Sequence, residues 1–338
     1  VNARQARLEL SYNNKNITED LTPYLESWSF TDNLSGQADD LQIDLMDREH
    51  LWMGSWLPEK GAVVKGKILT ENWEQEGKVA SLPLGHFEID DLGVKGPPSV
   101  VSIKAISVPE SSSLRGEEKN RAWEKTKLSV IANDIASKNK LKLFYDVAED
   151  VEYERIEQSG ESDIRFLMRL CDDAGLGLKV TGNQINIFDE EKYEKQSPIM
   201  TIKLGESNIK NYTFQSSTNG TYRACRVEYH SAKGKKNFSF TFTPANAPKT
   251  GRTLVIKQEV SSVKEAERLA KKRLRKENKE ADKAAFVLMG DIRLVAGVTV
   301  KLDGFGGFNG KYIVTQATHG QSNGYETAIQ LRKVLEGY

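Results

Sequence analysis

Cysteine is scarce in this chain of 338 residues: there are two, Cys171 and Cys225, at a separation that fits no zinc or redox motif. A disulfide-stapled scaffold is thereby excluded, and two buried thiols are expected. Long apolar runs are missing as well. Nothing approaches the roughly 18 residues that cross a bilayer as a helix, and the opening VNARQARLEL has no apolar stretch of signal-peptide type. These features predict folding in a cytosol and no stable membrane insertion. Net charge is absent, because 48 basic and 48 acidic residues cancel, so no global field draws the chain to nucleic acid. The four histidines, His50, His86, His230 and His319, are scattered, none beside a carboxylate or cysteine at ligand spacing, and no G-x-S-x-G elbow occurs. The expectation is a protein with no catalytic residue, no metal and no cofactor.

What the chain does contain is strand periodicity. Residues 1–110 alternate apolar and polar, as in Leu8, Leu10, Tyr12 and in Tyr24, Trp28, Phe30, between turn clusters such as NNKN and GPPS. After a composition shift at PESSSLRGEEKNR, helical spacing appears in LSVIANDIASKN through Leu128, Ile131, Ile135 and Ala136. It appears again in ESDIRFLMRLCDDAG through Ile164, Leu167, Met168 and Cys171, with Gly175 as a stop. A hairpin turning at Gly182 and Asn183 follows. Residues 111–200 therefore read as a small α+β unit. Residues 201–338 return to strands, interrupted by a helix over 262–280 that opens with a capping box at Ser262 and Glu265. The predicted fold class is mainly β with an α+β insertion, two β-barrel or sandwich domains flanking a small α+β domain.

A weak internal repeat links the two β regions. Gly61-Ala-Val-Val-Lys65, Gly85-His-Phe-Glu-Ile89 and the strand Ser102–Val108 recur in order as Gly297-Val-Thr-Val-Lys301, Gly310-Lys-Tyr-Ile-Val314 and Ala328–Val334. A longer hairpin loop around NWEQEGKVASLPL absorbs the difference in spacing between the first two elements.

Several stretches imitate chemical motifs. FTDNLSGQADDLQIDLMDRE carries six acidic residues, but strand alternation spreads Asp40, Gln42 and Asp44 over one face and Leu41, Ile43 and Leu45 over the other, so a solvated face is expected, not a calcium loop. Asp39 and Asp47 fall at the strand ends, where turn chemistry favours Asp. GAVVKGKI has phosphate-loop spacing, yet Ile68 stands where a magnesium-binding hydroxyl belongs and no helix follows. The glycines of DGFGGFNG miss the dinucleotide register. Glu157, Glu161 and Asp163 flank a helix start, where the helix dipole alone favours acids. The helix over Lys264–Lys283 bears nine basic and five acidic residues without one aromatic, which suits a solvated helix with Glu267–Lys271 and Lys276–Glu280 pairs better than specific nucleic-acid binding.

Large apolar side chains sit outside the strand pattern at Trp52, Met53, Trp56 and Leu57 in HLWMGSWLPEKG. They either cap a barrel end or form the centre of a subunit interface. The opening ITEDLTPYLESWSFTDNLSGQADDLQIDLMDRE with LWMGSWLPEKGAVVKGKI, then YERIEQSGESDIRFLMRLCDDAGLGL, GDIRLVAGVTVKLDGFGGFNGKYIVTQATHG and GYETAIQLRKVL, resemble the late control protein D family of phage. These are baseplate hub proteins of contractile tails and R-type bacteriocins, here most similar to the Bacillus and Clostridium prophage branch. The resemblance implies a homotrimer in which each chain gives two tail-tube-like β domains, so that a pseudo-hexameric ring joins a hexameric tail tube protein to a trimeric spike protein. It implies contacts of the α+β unit and long helix with baseplate wedge or spike components, assembly in the bacterial cytoplasm, and a place in a virion tail baseplate or phage-tail-like particle. Two other readings are a tail-associated cell-wall hydrolase, for which no acid pair or zinc spacing speaks, and a monomeric glycan-binding module using exposed aromatics.

Overall fold

The structure, a computed structural model, describes residues 2–108, 113–206, 208–230, 237–258, 260 and 262–338. The unit boundary expected at 110/111 falls outside them. The molecule is mainly β with an α+β insertion.

The first β unit comprises β1 (Gln5–Tyr12), β2 (Leu25–Asn33), β3 (Asp40–Met46), β4 (Val63–Glu71), β5 (Val79–Lys95) and β6 (Val100–Ile106). Their alternation places Leu8, Leu10, Trp28, Phe30, Leu41, Ile43, Leu45, Ile68, Phe87 and Ile103 in one core. β5 begins at Val79, so the stretch expected as an extended loop is already strand from there.

The α+β unit contains β7 (Glu118–Lys127), α1 (Leu128–Lys138), β8 (Lys142–Asp146), β9 (Glu152–Ser162), α2 (Asp163–Ala174), β10 (Gly177–Thr181), β11 (Gln184–Phe188) and the short α3 (Glu190–Glu194). β7 and β9 form a ribbon, while β10, β11 and β8 form a three-stranded sheet under α1 and α2. Gly175 ends α2 in the left-handed conformation at φ 70°, which glycine adopts without a Cβ penalty. The buried face of α2 is Phe166, Leu167, Leu170, Cys171 and Ala174; Met168, expected inside, is exposed.

The second β unit runs through β12 (Thr201–Lys203), β13 (Ile209–Ser216), then β14 (Ala224–His230), β15 (Asn237–Phe242), β16 (Thr253–Ile256) and α4 (Val263–Asn278), and closes with β17 (Asp282–Met289), β18 (Thr299–Asp303), β19 (Gly310–Gln321) and β20 (Tyr325–Lys333). The Ser262 hydroxyl accepts from the Glu265 N–H at 3.2 Å and caps α4. α4 buries Ala266, Ala270 and Leu274 on the small β15-β14-β16 sheet, leaving Val263 exposed. Lys271 pairs with Glu267 at 3.0 Å, as its spacing predicts. Lys276 does not pair with Glu280; it reaches Asp172 on α2 at 2.6 Å, and Glu280 takes Lys283 instead, because the α+β unit lies close enough to compete.

The two β units follow one path. Strand order is β2-β3-β6-β5-β4-β1 in the first and β13-β17-β20-β19-β18-β12 in the second. Pairing registers align them residue by residue. A bulge lies between Leu25 and Ser27 on β2 and between Ile209 and Asn211 on β13. Another lies between Ile89 and Asp91 on β5 and between Val314 and Gln316 on β19. Trp28 and Phe30 thus match Tyr212 and Phe214; Gly93 and Val94 match Thr318 and His319; Ile106 matches Arg332. The sequence repeat falls on the β4-β5-β6 and β18-β19-β20 meanders in this same alignment. Where the first unit joins β2 to β3 by residues 34–39, the second inserts residues 217–281, which carry α4 and its small sheet. The one difference of sense is at the end of the path, where β1 runs antiparallel to β4 but β12 parallel to β18.

Candidate assembly interface

Both units belong to a single 13-stranded sheet, which includes the two-residue strand Lys15–Asn16 beside β1, because β2 of the first pairs antiparallel with the second half of β19 from the second. This seam is closely packed. Trp28 stands 6.0 Å from the Tyr325 ring and its Nε1 donates to Gln321 at 3.2 Å; Phe30 stacks on His319 at 6.3 Å. The Thr31 and Thr318 hydroxyls lie 3.5 Å apart, and Gln316 donates to the Asn33 side chain at 2.8 Å. His319 is wholly buried, with Nδ1 2.7 Å from the Tyr325 hydroxyl and Nε2 2.8 Å from the Leu294 carbonyl. Burial lowers its pKa from the ordinary imidazole value, so the ring is neutral and works as a hydrogen-bonding core residue.

Two buried charge groups tie the α+β unit to this sheet. Lys179 on β10 pairs with Asp32 and, at 3.0 Å, with Asp39, while Asp32 also accepts from the Ala296 N–H at 2.8 Å. Burial, reinforced by Asp32 and opposed by Lys179, pushes the Asp39 carboxyl up to about 6. On the other side Arg332 of β20 meets Glu190 at 2.8 Å and Glu194 at 2.5 Å, both on α3. Arg275 of α4 reaches Glu194 at 2.6 Å, and Lys279, just past the end of α4, reaches Glu190 at 3.0 Å. Burial alone would raise the Glu190 pKa, but Lys279 and Arg332 outweigh it and hold it below the usual carboxylate range.

The acidic opening stretch is only partly a wet face. Asp44 accepts from Ser27 and Ser102 across the sheet at 2.9 and 2.5 Å. Asp39 and Asp47 are buried: Asp47 holds the next loop by accepting from the Trp52 and Met53 N–H groups at 2.9 and 2.8 Å. Among the described residues no three His, Cys, Asp or Glu side chains converge as metal ligands. Of the acids flanking the start of α2, Asp163 is fully buried between Lys119 (2.8 Å) and Arg121, and Glu161 pairs with Arg169 at 2.5 Å. His50 contacts the Met53 sulfur, His86 is exposed, and the His230 side chain lies outside the described residues. Both cysteines are buried thiols.

The predicted aromatic patch divides. Trp52 is 7% exposed and packs in the first core, whereas Met53, Trp56 and Leu57 are 39, 44 and 44% exposed. Tyr24 completes the cluster, with Tyr24, Trp52 and Trp56 ring centroids 5.5–5.9 Å apart in edge contacts. The patch lies between β3 and β4, at the end of the first unit that also holds the β5–β6 turn, since Asp47 N–H donates to Ser99 O at 2.9 Å.

Sequence reasoning did not find two further surfaces. The outer edge of β13, with Tyr212 43% exposed, and the outer edge of residues 91–95 on β5, with Val94 50% exposed, have no strand partner among the described residues. Unpaired edges of this length are pairing templates. The sequence repeat reaches neither of them; that they correspond to the two strands of the internal seam emerges only from the pairing registers.

Two like β units in one continuous sheet define the class of fold, and known tail proteins share it. The 43 kDa tail protein of prophage MuSo2 from Shewanella oneidensis superimposes with a TM-score of 0.73 over 97% of this chain and 98% of its own, at 13% identity. Residues 102–325 match the family model described as phage tail baseplate hub (GPD). The chain belongs to that family. It is 31% identical to the probable baseplate hub protein of Escherichia phage P2 over 67% of this chain and 57% of the relative, and 27% identical to that of Escherichia phage 186 over 71% and 60%. It therefore spans somewhat under two thirds of the length of these curated relatives.

Proposed function

We propose that the chain is a structural, non-enzymatic baseplate hub of a contractile tail, acting as a homotrimer whose six β units form a pseudo-hexameric ring between the tail tube protein and the spike protein. The observation that carries this reading is the repetition of strand path and bulge positions in the two units. A threefold assembly of such chains presents six similar units, which is what a hexameric partner needs on one face while the true threefold serves a trimeric partner on the other. Membership of the hub family supports the same role and a place in the virion tail baseplate or a phage-tail-like particle after assembly in the bacterial cytoplasm. We keep the division into residues 1–110, 111–200 and 201–338 as the working domain scheme. Wedge components are assigned to the α+β unit and α4. On its opening residues we place the chain with the Bacillus and Clostridium prophage or R-type bacteriocin hubs; its relatives from Escherichia phages support the family without reaching that finer division.

Trp56, Leu57 and Met53, standing on the buried Trp52, form a rim contact in this reading. Exposed aromatics over a packed base are suited to a partner surface. The test is light scattering of the purified chain, alone and with tube or spike protein. A three-chain ring that co-purifies with either is expected; a chain that stays monomeric beside both would sink the proposal. Trp56→Ser with Leu57→Ser is expected to leave the fold unchanged by circular dichroism and to remove co-purification with one partner only.

A further inference from the structure

We infer that successive copies join by pairing β13 of one chain with residues 91–95 of β5 in the next, in a fixed register: Ser216 opposite Leu92, Gln215 opposite Gly93, Phe214 opposite Val94 and Thr213 opposite Lys95. The inference rests on the ring reading above and adds to it the strands and the residue pairs.

The register comes from the molecule's own seam. There β2 and β19 pair with Asp32 opposite Ala317, Thr31 opposite Thr318, Phe30 opposite His319 and Ser29 opposite Gly320. β13 is the counterpart of β2, and residues 91–95 are the counterparts of residues 316–320, by the shared bulges. The seam side of each counterpart is the open side here, and both open sides expose an apolar side chain, Tyr212 and Val94. The flanking backbone bonds are also repeated. Gly297 N–H donates to Val314 O and Val314 N–H to Val298 O at 2.8 and 2.9 Å, as Gly61 N–H donates to Ile89 O and Ile89 N–H to Ala62 O at 2.8 and 3.0 Å. β5 thus leaves its β4 partner at the same residue at which β19 leaves β18 and becomes free to take a second strand.

The occupant is a second copy of this chain, because one copy carries both halves of the seam but cannot pair them with each other: β13 is the last strand at one end of the sheet, and residues 91–95 lie in the other unit, beyond the seam and the β2-β3-β6 strands. Contacts of this head-to-tail kind close a ring when the rotation allows.

In the seam, Leu34 N–H donates to Thr315 O at 2.9 Å. Three positions along, Thr31 and Thr318 are therefore a non-hydrogen-bonded pair, the type with the closest side chains, in keeping with their 3.5 Å contact. Gln215 and Gly93 occupy that pair between copies, and a Cβ added at Gly93 meets nothing nearer than Ser102 Cβ at 4.0 Å. The full chain carrying Gln215→Cys and Gly93→Cys is expected, on mild oxidation, to lose its monomer band on a non-reducing gel, with light scattering giving a closed three-chain species. Thr31→Cys with Thr318→Cys is the internal control, linking within one chain. Gln215→Cys with Asp91→Cys, two positions out of register, is expected to stay unlinked, and Val94→Asp, at a half-exposed position, to stay folded and lose association. Linked chains that do not close would keep the register and overturn the ring. A three-chain species in which only the out-of-register pair links would keep the ring and overturn the register, and neither link nor association would overturn both.

Discussion

The two β units differ most where they are most alike. At matching positions the first unit puts Trp28 and Phe30 into a closed seam, while the second leaves Tyr212 and Phe214 along an open edge. Likewise Ile106 ends a strand of the first unit, and Arg332, buried among Glu190 and Glu194, occupies the same register in the second. One strand plan is therefore finished in two ways: the β2 edge of the first unit is covered by its sister, while the second keeps its β13 edge open and ties β20 to α3 by buried charge. The two units thus share a backbone geometry and differ in the side chains placed on it and in which edge is covered within the chain.

The largest test removes the charge that distinguishes the units. Arg332→Ile, which installs the first unit's residue, leaves Glu190 and Glu194 with only Lys279 and Arg275 and is expected to cost about 3–5 kcal/mol in urea unfolding. Adding Glu190→Gln and Glu194→Gln should return much of it; a neutral single variant would break the comparison. Next, Trp28→Ala is expected to cost about 3 kcal/mol of chain stability by opening a void in the seam. Its counterpart Tyr212→Ala is expected to cost about 1 kcal/mol, because the residue is 43% exposed and loses only its ring contacts with Phe214, Phe286 and Phe305. Equal losses at the two positions would mean that the edge of β13 is not open.

The smallest effect concerns pH at the seam. Asp39, raised to about 6 by burial, holds its proton to higher pH in the folded than in the unfolded chain. The stability it adds is complete below the ordinary carboxylate value near 3.8 and is lost as pH rises to about 6. Asp39→Asn abolishes that titration, so the variant should gain in melting temperature relative to the parent across this window and stay parallel above it. A difference independent of pH would assign Asp39 a purely geometric role.

The meander strands were legible because each copy opens with a glycine before alternating apolar residues, at Gly61 and Gly297 and at Gly85 and Gly310. The β2/β13 and β3/β17 halves of the repeat were not. Ser29 and Thr213, or Asp40 and Lys283, share a register and a pleat but little chemistry, and residues 217–281 separate the second pair. Bulges leave no residue signature, since they are set by backbone pairing. The aromatic patch was found as a cluster, but whether each side chain packs inward or outward depended on Asp47 folding the loop, a contact alternation does not encode. Arg332 reads as an ordinary strand cation until α3 and α4 surround it.

Residues 217 and 281, where the insertion leaves and rejoins the sheet, are bonded to each other, the Ser217 N–H to the Ala281 carbonyl at 2.9 Å. The excursion between them begins and ends on one doorstep, so its length exerts no pull on the strands beside it. That doorstep suits protein engineering: a foreign folded module with neighbouring termini, spliced there in place of the resident one, would leave the flanking strands in register.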